Sequence, residues 1–345
     1  MGKGKAFIGI GMLCAVMTLC AGCGRQEKDD KVESIRIGVT VYDQYDTFVS
    51  QLMESFKVYA RQKTGETGIA INIDVYNASA SQSTQNAQVE EMLEDGCDVI
   101  CVNLVDRTEP TTIIDMAESK NVPVVFFNRE LVAEDLERWN QLYYVGAKAL
   151  ESGIMEGEIA AQAFKEAPSV DKNGDGIFQY VILEGEAGHQ DSIVRTEYSV
   201  STITDNGIEV EKLGYAIANW NRAQAQTKTA QMLNEYGKQI ELILANNDDM
   251  ALGAIDALKA AEISPEEWPV VVGIDGTDVG LESVKSGEMA GTVYNDKEGQ
   301  ARGMLDLAYA LATDQDTSEL NLEDGKYIRL PYQKILSEDV YQYLK

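Results

Sequence analysis

Nine residues, Asp171 to Gln179 (DKNGDGIFQ), place oxygen-bearing groups at alternating positions. With Asp171 as the first position, Asn173 and Asp175 offer side-chain oxygens at the third and fifth. Ile177 offers a backbone carbonyl at the seventh, Gln179 an amide oxygen at the ninth, and Gly176 allows a sharp turn. This is how an EF-hand calcium loop begins, but such a loop closes with a bidentate Glu at its twelfth position. Here that position is Ile182, inside the apolar run 180–183. Asp, Asn and Gly also build ordinary polar turns, so the local sequence leaves a metal site and a plain turn both open.

A second group of reactive side chains sits directly after short apolar runs. It comprises the segments 42–48 (YDQYDTF), 103–106 (NLVD), 184–191 (EGEAGHQD) and 246–248 (NND), then Asp275 and 295–296 (ND). Trp220 sits within ANWN, and Arg195 lies four residues after Asp191, on the same face of a helix. Carboxylates, primary amides, one imidazole, one guanidinium and aromatic rings together suit a neutral polyol. Its hydroxyls both donate and accept, while its C–H faces lie against aromatic surfaces. Taken singly, an Asn or Asp at such a place is more often a turn or helix cap than a ligand contact. Their convergence is what points to a site.

The elements that must position these residues alternate in type. Strands are expected at 37–41, 69–75, 99–102, 122–127, 180–183, 240–245, 270–274 and 291–294, with amphipathic helices such as 48–61 and 223–236 between them. Near-continuous apolar strands separated by helices indicate an α/β fold with parallel sheets covered on both faces. Ligands then gather beyond the carboxyl ends of the strands, where the polar segments lie.

The ends of the chain and its charge narrow the class. Lys3 and Lys5, the apolar stretch 6–19 and the small residues before Cys23 read as an export signal over 1–22, too short to span a membrane. The charged, aperiodic stretch after it reads as a tether over 23–34. With 29 basic against 57 acidic residues and a net charge of −28, nucleic acid and anionic membrane surfaces are poor partners. Cys97 and Cys101, within one strand-like run, would lie roughly 13 Å apart, too far for a disulfide. They are expected to be buried thiols.

Several segments, among them RIGVTVYDQYDTF, VPVVFFNRE, LEGEAGHQDSIVRT, ANWNRAQA, LANNDDMALGA and GTVYNDKEGQA, occur in the order found in one family. From about Arg36 to Lys345 the chain resembles the D-galactose/D-glucose-binding branch of the type I periplasmic binding proteins, which serve sugar ABC transporters. The resemblance implies two Rossmann-like parallel-sheet domains joined by a three-segment hinge. The lobes would be 35–128 with 297–330, and 129–296 with 331–345, crossing near 128–129, 295–297 and 330–331. It assigns polar sugar contacts to Asp46, Asn103, His189, Asp191, Arg195, Asn247, Asp275 and Asn295, with Phe48 and Trp220 against the two faces of a pyranose. It also pairs the Asp171–Gln179 loop with Glu241 as the distant bidentate ligand of a structural calcium ion, the full set being Asp171, Asn173, Asp175, Ile177, Gln179 and Glu241. Gln190 stands where the family has proline, and Cys20 where the lipoprotein signal usually has Leu.

The resemblance further implies a monomeric, extracytoplasmic lipoprotein, acylated at Cys23 and held to the outer face of the cell membrane by that anchor alone. It would capture D-galactose, D-glucose or both, and deliver them to an ABC permease; whether a chemoreceptor also reads it stays open. No catalysis is expected. The main alternative is an exported carbohydrate-active enzyme using Glu184 with Glu186, or Asp46 with Asp275, as acid and base. A binder of another monosaccharide is a further alternative. A sugar-responsive repressor would need a basic helix-turn-helix before Arg36, where this chain has its signal and tether.

Overall fold

Residues one apart on each central strand are buried against opposite layers, and this defines the architecture. Val99 and Cys101 join one core with Val125 and Phe127, whereas Ile100 and Val102 join another with Val124 and Phe126. The same alternation separates Val181 and Leu183 from Tyr180 and Ile182. Because successive side chains on a strand point to opposite faces, a sheet buried on both must be apolar at nearly every position.

The computed structural model describes residues 1–4 and 32–344. The chain divides into two units, 1–32 and 33–345, and among the described residues the helices and strands lie in the second. Cys23, most of the expected export signal and the tether up to residue 31 lie outside the described residues. No described helix is long and apolar enough to cross a membrane.

The first half runs β1 (Ser34–Val41), α1 (Thr47–Thr67), β2 (Ala70–Asn77), α2 (Gln82–Glu94), β3 (Val99–Val102), α3 (Thr111–Lys120), β4 (Val124–Phe127), α4 (Ala133–Leu136) and β5 (Leu142–Gly146). The second runs α5 (Ala149–Glu166), β6 (Ile177–Glu184), α6 (Gln190–Asp205), β7 (Glu209–Ile217), α7 (Arg222–Tyr236), β8 (Leu242–Ala245), α8 (Asp248–Ala260), β9 (Val270–Asp275), α9 (Asp278–Ser286) and β10 (Gly291–Tyr294). Then come α10 (Lys297–Ala312), β11 (Tyr327–Arg329) and β12 (Gln333–Ile335). The strand orders are β2-β1-β3-β4-β5-β11 and β7-β6-β8-β9-β10-β12. All pairings between these strands are parallel except β10 with β12. These are two doubly wound α/β sheets of matching order, as the alternating pattern required.

The expected first crossing near 128–129 is corrected. After β4 the chain makes the short α4 and returns to pair β5 beside β4, so it leaves the first sheet only after Gly146. Asn128 is itself tied to that sheet, its N–H donating to the Val145 carbonyl at 3.0 Å. The chain passes from the second sheet back to α10, which packs on the first, and returns between β11 and β12. Strands β5, β7, β11 and β12 go beyond the eight expected. β7 is a half-exposed edge strand, and β11 and β12 have three residues each. These three lack the apolar run by which the central strands are recognised, whereas β5 (LYYVG) is apolar and mostly buried, a run missed among the expected strands.

Cys97 and Cys101 are buried and unpaired. Burial pushes the Cys101 thiol up to about 12.

Candidate functional site

Both sheets reverse their winding between two neighbouring strands, β1 and β3 in the first and β6 and β8 in the second. At such a switch point the loops diverge and leave a crevice at the carboxyl ends. A cavity lies there, walled by both lobes. The first lobe supplies Tyr42, Asp46 and Phe48 after β1, and Asn128 and Arg129 after β4. The second supplies His189, Asp191 and Arg195 from the start of α6, Trp220 before α7, Asn247 before α8, and Asp275 ending β9.

Helix caps hold several of these side chains. Asp46 caps α1 by accepting from the Val49 N–H at 2.8 Å, and it also accepts the Tyr42 hydroxyl at 2.6 Å. Asn247 caps α8 through the Met250 N–H at 2.9 Å. His189 caps α6 with Nδ1, which accepts the Asp191 N–H at 3.1 Å. That acceptor role leaves the proton on Nε2. Burial, with Arg129 and Arg195 nearby, holds the imidazole well below its ordinary 6.5, so it is neutral. Capping a helix and lining the cavity are therefore not alternatives at these positions: each of the three side chains does both.

Arg195 organises the second lobe. Its guanidinium donates to the Asn246 carbonyl at 2.7 Å, Ser152 Oγ at 3.1 Å and the Tyr332 hydroxyl at 3.2 Å. It pairs with Asp191 at 3.3 Å and Asp275 at 3.8 Å. Burial drives the Asp275 carboxyl well above its usual range, with Arg195 opposing. Across the cleft, the guanidinium carbon of the buried Arg129 lies over the Tyr42 ring, 3.4 Å from its centroid, and Arg129 pairs with Glu186 of the other lobe at 2.7 Å. Each arginine is thus matched by carboxylates of the protein, which favours a neutral, hydroxyl-rich ligand over an ion.

Trp220 occupies a two-residue turn with Asn219, both at positive φ (59° and 50°). A bulky side chain is rare in that region, and here it is held by its surroundings. His189 meets the indole edge-on at 5.3 Å between centroids, and Gly185 lies beneath, where a Cβ would come within 2.3 Å of the ring. The equivalent turn in the first lobe, Ser79–Ala80, also has positive φ at both residues but presents no aromatic ring.

Two expected contacts do not reach the cavity. Asn103 is fully buried: its Oδ1 accepts the Tyr42 N–H at 3.3 Å, and its Nδ2 donates to the Phe127 carbonyl and to Asn128 Oδ1 at 3.2 and 3.0 Å. At the end of the central strand β3 its amide is used up tying β1 to β4, and Asn128 is the amide that faces the cavity. Asn295 is also buried, bonded to Gln300 at 2.6 Å and standing behind Asp275. Tyr42, Asn128 and Arg129 are additional to the expected contacts. The strand-end rule, applied to the FFNRE segment, would have found Asn128 and Arg129.

The Asp171–Gln179 loop lies away from the cavity. Asp171 accepts N–H groups of Gly174 and Gly176 at 2.7 and 2.9 Å, and Asp175 accepts that of Ile177 at 2.8 Å and the side chains of Asn173 and Gln179. Glu241 precedes β8, beside β6, and its buried carboxylate accepts the N–H of Lys172 at 2.6 Å and of Gln179 at 3.2 Å. Burial, then the charge of Asp171, raises its carboxyl. Gln179 Oε1 is buried with no hydrogen-bond partner. Among the described residues, no three His, Cys, Asp or Glu side chains are already gathered as a metal cage.

A family model described as a periplasmic binding protein domain matches residues 37–316. The D-galactose/methyl-galactoside binding periplasmic protein MglB of Haemophilus influenzae is 36% identical over 314 residues, covering 90% of this chain and 92% of that protein. A xylitol-binding protein of Mycolicibacterium smegmatis is 30% identical, over 85% of this chain and 77% of its own. Among solved structures, an ABC transporter solute binding protein from Bacillus halodurans with bound myo-inositol is 27% identical, with a TM-score of 0.73 over 91% of this chain and 98% of the other.

Proposed function

This chain belongs to the periplasmic binding protein family, and from that premise we propose that it captures D-galactose, D-glucose or both in the interlobe cavity and hands them to an ABC permease. The family consists of extracytoplasmic sugar-binding transport proteins and not enzymes. The observation that carries the sugar reading is the charge-matched set of Arg195, Asp191 and Asp275 on one lobe, facing Asp46 on the other. Phe48 and Trp220 supply apolar faces to the same cavity. Aldohexose preference rests on the relative that binds galactose. Two of the acids that a hydrolase would use have partners of their own. Glu184 accepts Thr196 and Tyr215 hydroxyls at 3.0 Å each, and Glu186 is bound to Arg129.

Binding favours the closed arrangement because both lobes touch one ligand, a hinge motion. The permease reads that closed face, the mature protein acts as a monomer, and Cys23 anchors it to the membrane. A calcium ion held by Asp171, Asn173, Asp175, the Ile177 carbonyl, Gln179 and Glu241 is part of this reading. The unpartnered Gln179 oxygen and the buried Glu241 carboxylate support it. Such an ion, when bound, supplies a cross-link and charge neutralisation and no reaction.

Calorimetric titration with galactose, glucose, methyl-galactoside, ribose, xylitol and myo-inositol tests the proposal. Saturable one-to-one binding of galactose or glucose, tighter than the other polyols, is the expected result. Exclusive binding of xylitol or myo-inositol would overturn the aldohexose assignment while leaving the site in place.

A further inference from the structure

Asp275 ends β9 with φ = +116°, in a region that L-residues with side chains rarely enter. Such a conformation persists only where the surroundings over-determine it. The residues that fix it converge on Asp248, which is fully buried and does not line the cavity. Asp248 Oδ2 accepts the Thr277 N–H at 2.7 Å and the Thr277 hydroxyl at 3.1 Å, while Oδ1 accepts the Thr292 hydroxyl at 2.6 Å. Thr292 Oγ1 in turn accepts the N–H of Gly276 at 3.2 Å. The N–H groups of both residues after Asp275 are therefore tied to one carboxylate, directly or through one hydroxyl.

The space around that carboxylate is shaped for it. A Cβ at Gly273 would stand 2.6 Å from Oδ1, and one at Gly280 2.1 Å from Oδ2. Thr277 is also the N-cap of α9, accepting the Gly280 N–H at 3.1 Å. Asp248 thus joins the first turn of α8, the cap of α9 and strand β10 around a single turn. That turn decides where the Asp275 carboxylate points.

We propose that Asp248 is a positioning residue for ligand binding, which holds Asp275 in its positive-φ conformation through Thr277, Thr292 and Gly276 and so aims the Asp275 carboxylate at the cavity. It rests on the reading that Asp275 contacts a sugar hydroxyl. A neutral amide at 248 keeps the volume but offers one acceptor oxygen where the network uses two. The turn then relaxes, and Asp275 loses its aim.

The test is a double-mutant cycle with Asp248→Asn and Asp275→Asn, read by calorimetric titration of galactose and glucose. Asp248→Asn alone should weaken binding at least tenfold, and in the Asp275→Asn background its further effect should fall below threefold. Unchanged affinity in Asp248→Asn, or an equal loss in both backgrounds, would overturn the positioning role. If Asp248→Asn does not fold, Thr292→Val removes the hydroxyl link to Gly276 with little change in shape, and the same cycle applies. A crystal structure of the variant supplies a readout independent of sugar: Asp275 should move to negative φ, and retention of +116° would overturn the proposal even if the wild type bound neither sugar.

Discussion

Arg129 Nη2 and Glu186 Oε2 lie 2.7 Å apart, and they belong to different lobes. Arg129 follows β4 and Glu186 follows β6, so this pair exists only while the cleft is shut. Thr47 at the start of α1 makes a second such bond, to Asp249 of α8, at 2.6 Å. Glu186→Gln should shift the ligand-free protein toward open forms. The Glu186 side chain is 37% exposed, which screens the pair, so the sugar Kd should rise about fivefold, near the upper end for exposed pairs. Small-angle scattering should show a larger ligand-free radius of gyration. An unchanged radius together with an unchanged Kd would mean the pair does not hold the lobes.

Trp220 is a half-buried aromatic in the cavity wall, held by Gly185 and His189. Trp220→Ala should weaken sugar binding by about 2–4 kcal/mol, as loss of an aromatic anchor does. The melting temperature should change little. Wild-type affinity in this variant would remove Trp220 from the site.

Asp46 both caps α1 and faces the cavity. Asparagine caps as well as aspartate, so Asp46→Asn separates the two roles. Stability should be kept, while galactose and glucose should both bind about 1.5–3 kcal/mol more weakly through loss of a charge-assisted bond. Loss of only one of the two sugars would show that Asp46 does not serve both.

His189 is the chain's only histidine, so its titration can be followed without overlap. Its folded pKa is depressed below the unfolded 6.5. Between those two values the unfolded chain binds a proton that the native protein refuses. Stability from this group is therefore complete above pH 6.5 and declines as pH falls toward the folded pKa. Proton NMR should show the imidazole signals constant from about pH 8 to below the ordinary value of about 6.5. A midpoint at that ordinary value would contradict the buried, neutral imidazole.

The calcium reading makes Glu241 answerable to a loop 62–70 residues away in the chain. If the ion is held there, a hundredfold excess over its Kd should stabilise the fold by about 2.7 kcal/mol. Chelator should lower the melting temperature of the wild type and have little effect on Glu241→Gln. Sugar preference should be the same in both. A calcium-dependent shift of equal size in the two proteins would release Glu241 from the ligand set, and no shift in either would make the loop a polar turn.

Much of the fold is legible in the sequence for a local reason. A strand buried on both faces must be apolar at each position, so β1, β3, β4, β6, β8, β9 and β10 announce themselves, and the polar residues after them mark the carboxyl ends where a ligand collects. The Asp46, Asn247 and Asp275 positions, and the pairing of Asp191 with Arg195, are found in this way. Sheet membership is different, because it depends on long-range pairing. The run LYYVG marks β5 as a strand, but nothing within 128–146 says that it returns to β4 before the chain crosses; its sheet is settled only by the pairing of Val124 with Leu142. The same limit exchanged Asn103 for Asn128. Both are amides after apolar strands, and only the packing of β1, β3 and β4 decides which one spends its hydrogen bonds inside the sheet and which turns to the cavity. The backbone of Asp275 belongs wholly to the tertiary structure. Aspartate before glycine permits many turns, and the one adopted is chosen by a carboxylate 27 residues earlier in the chain, in contact only because two helices and a strand end at the same point.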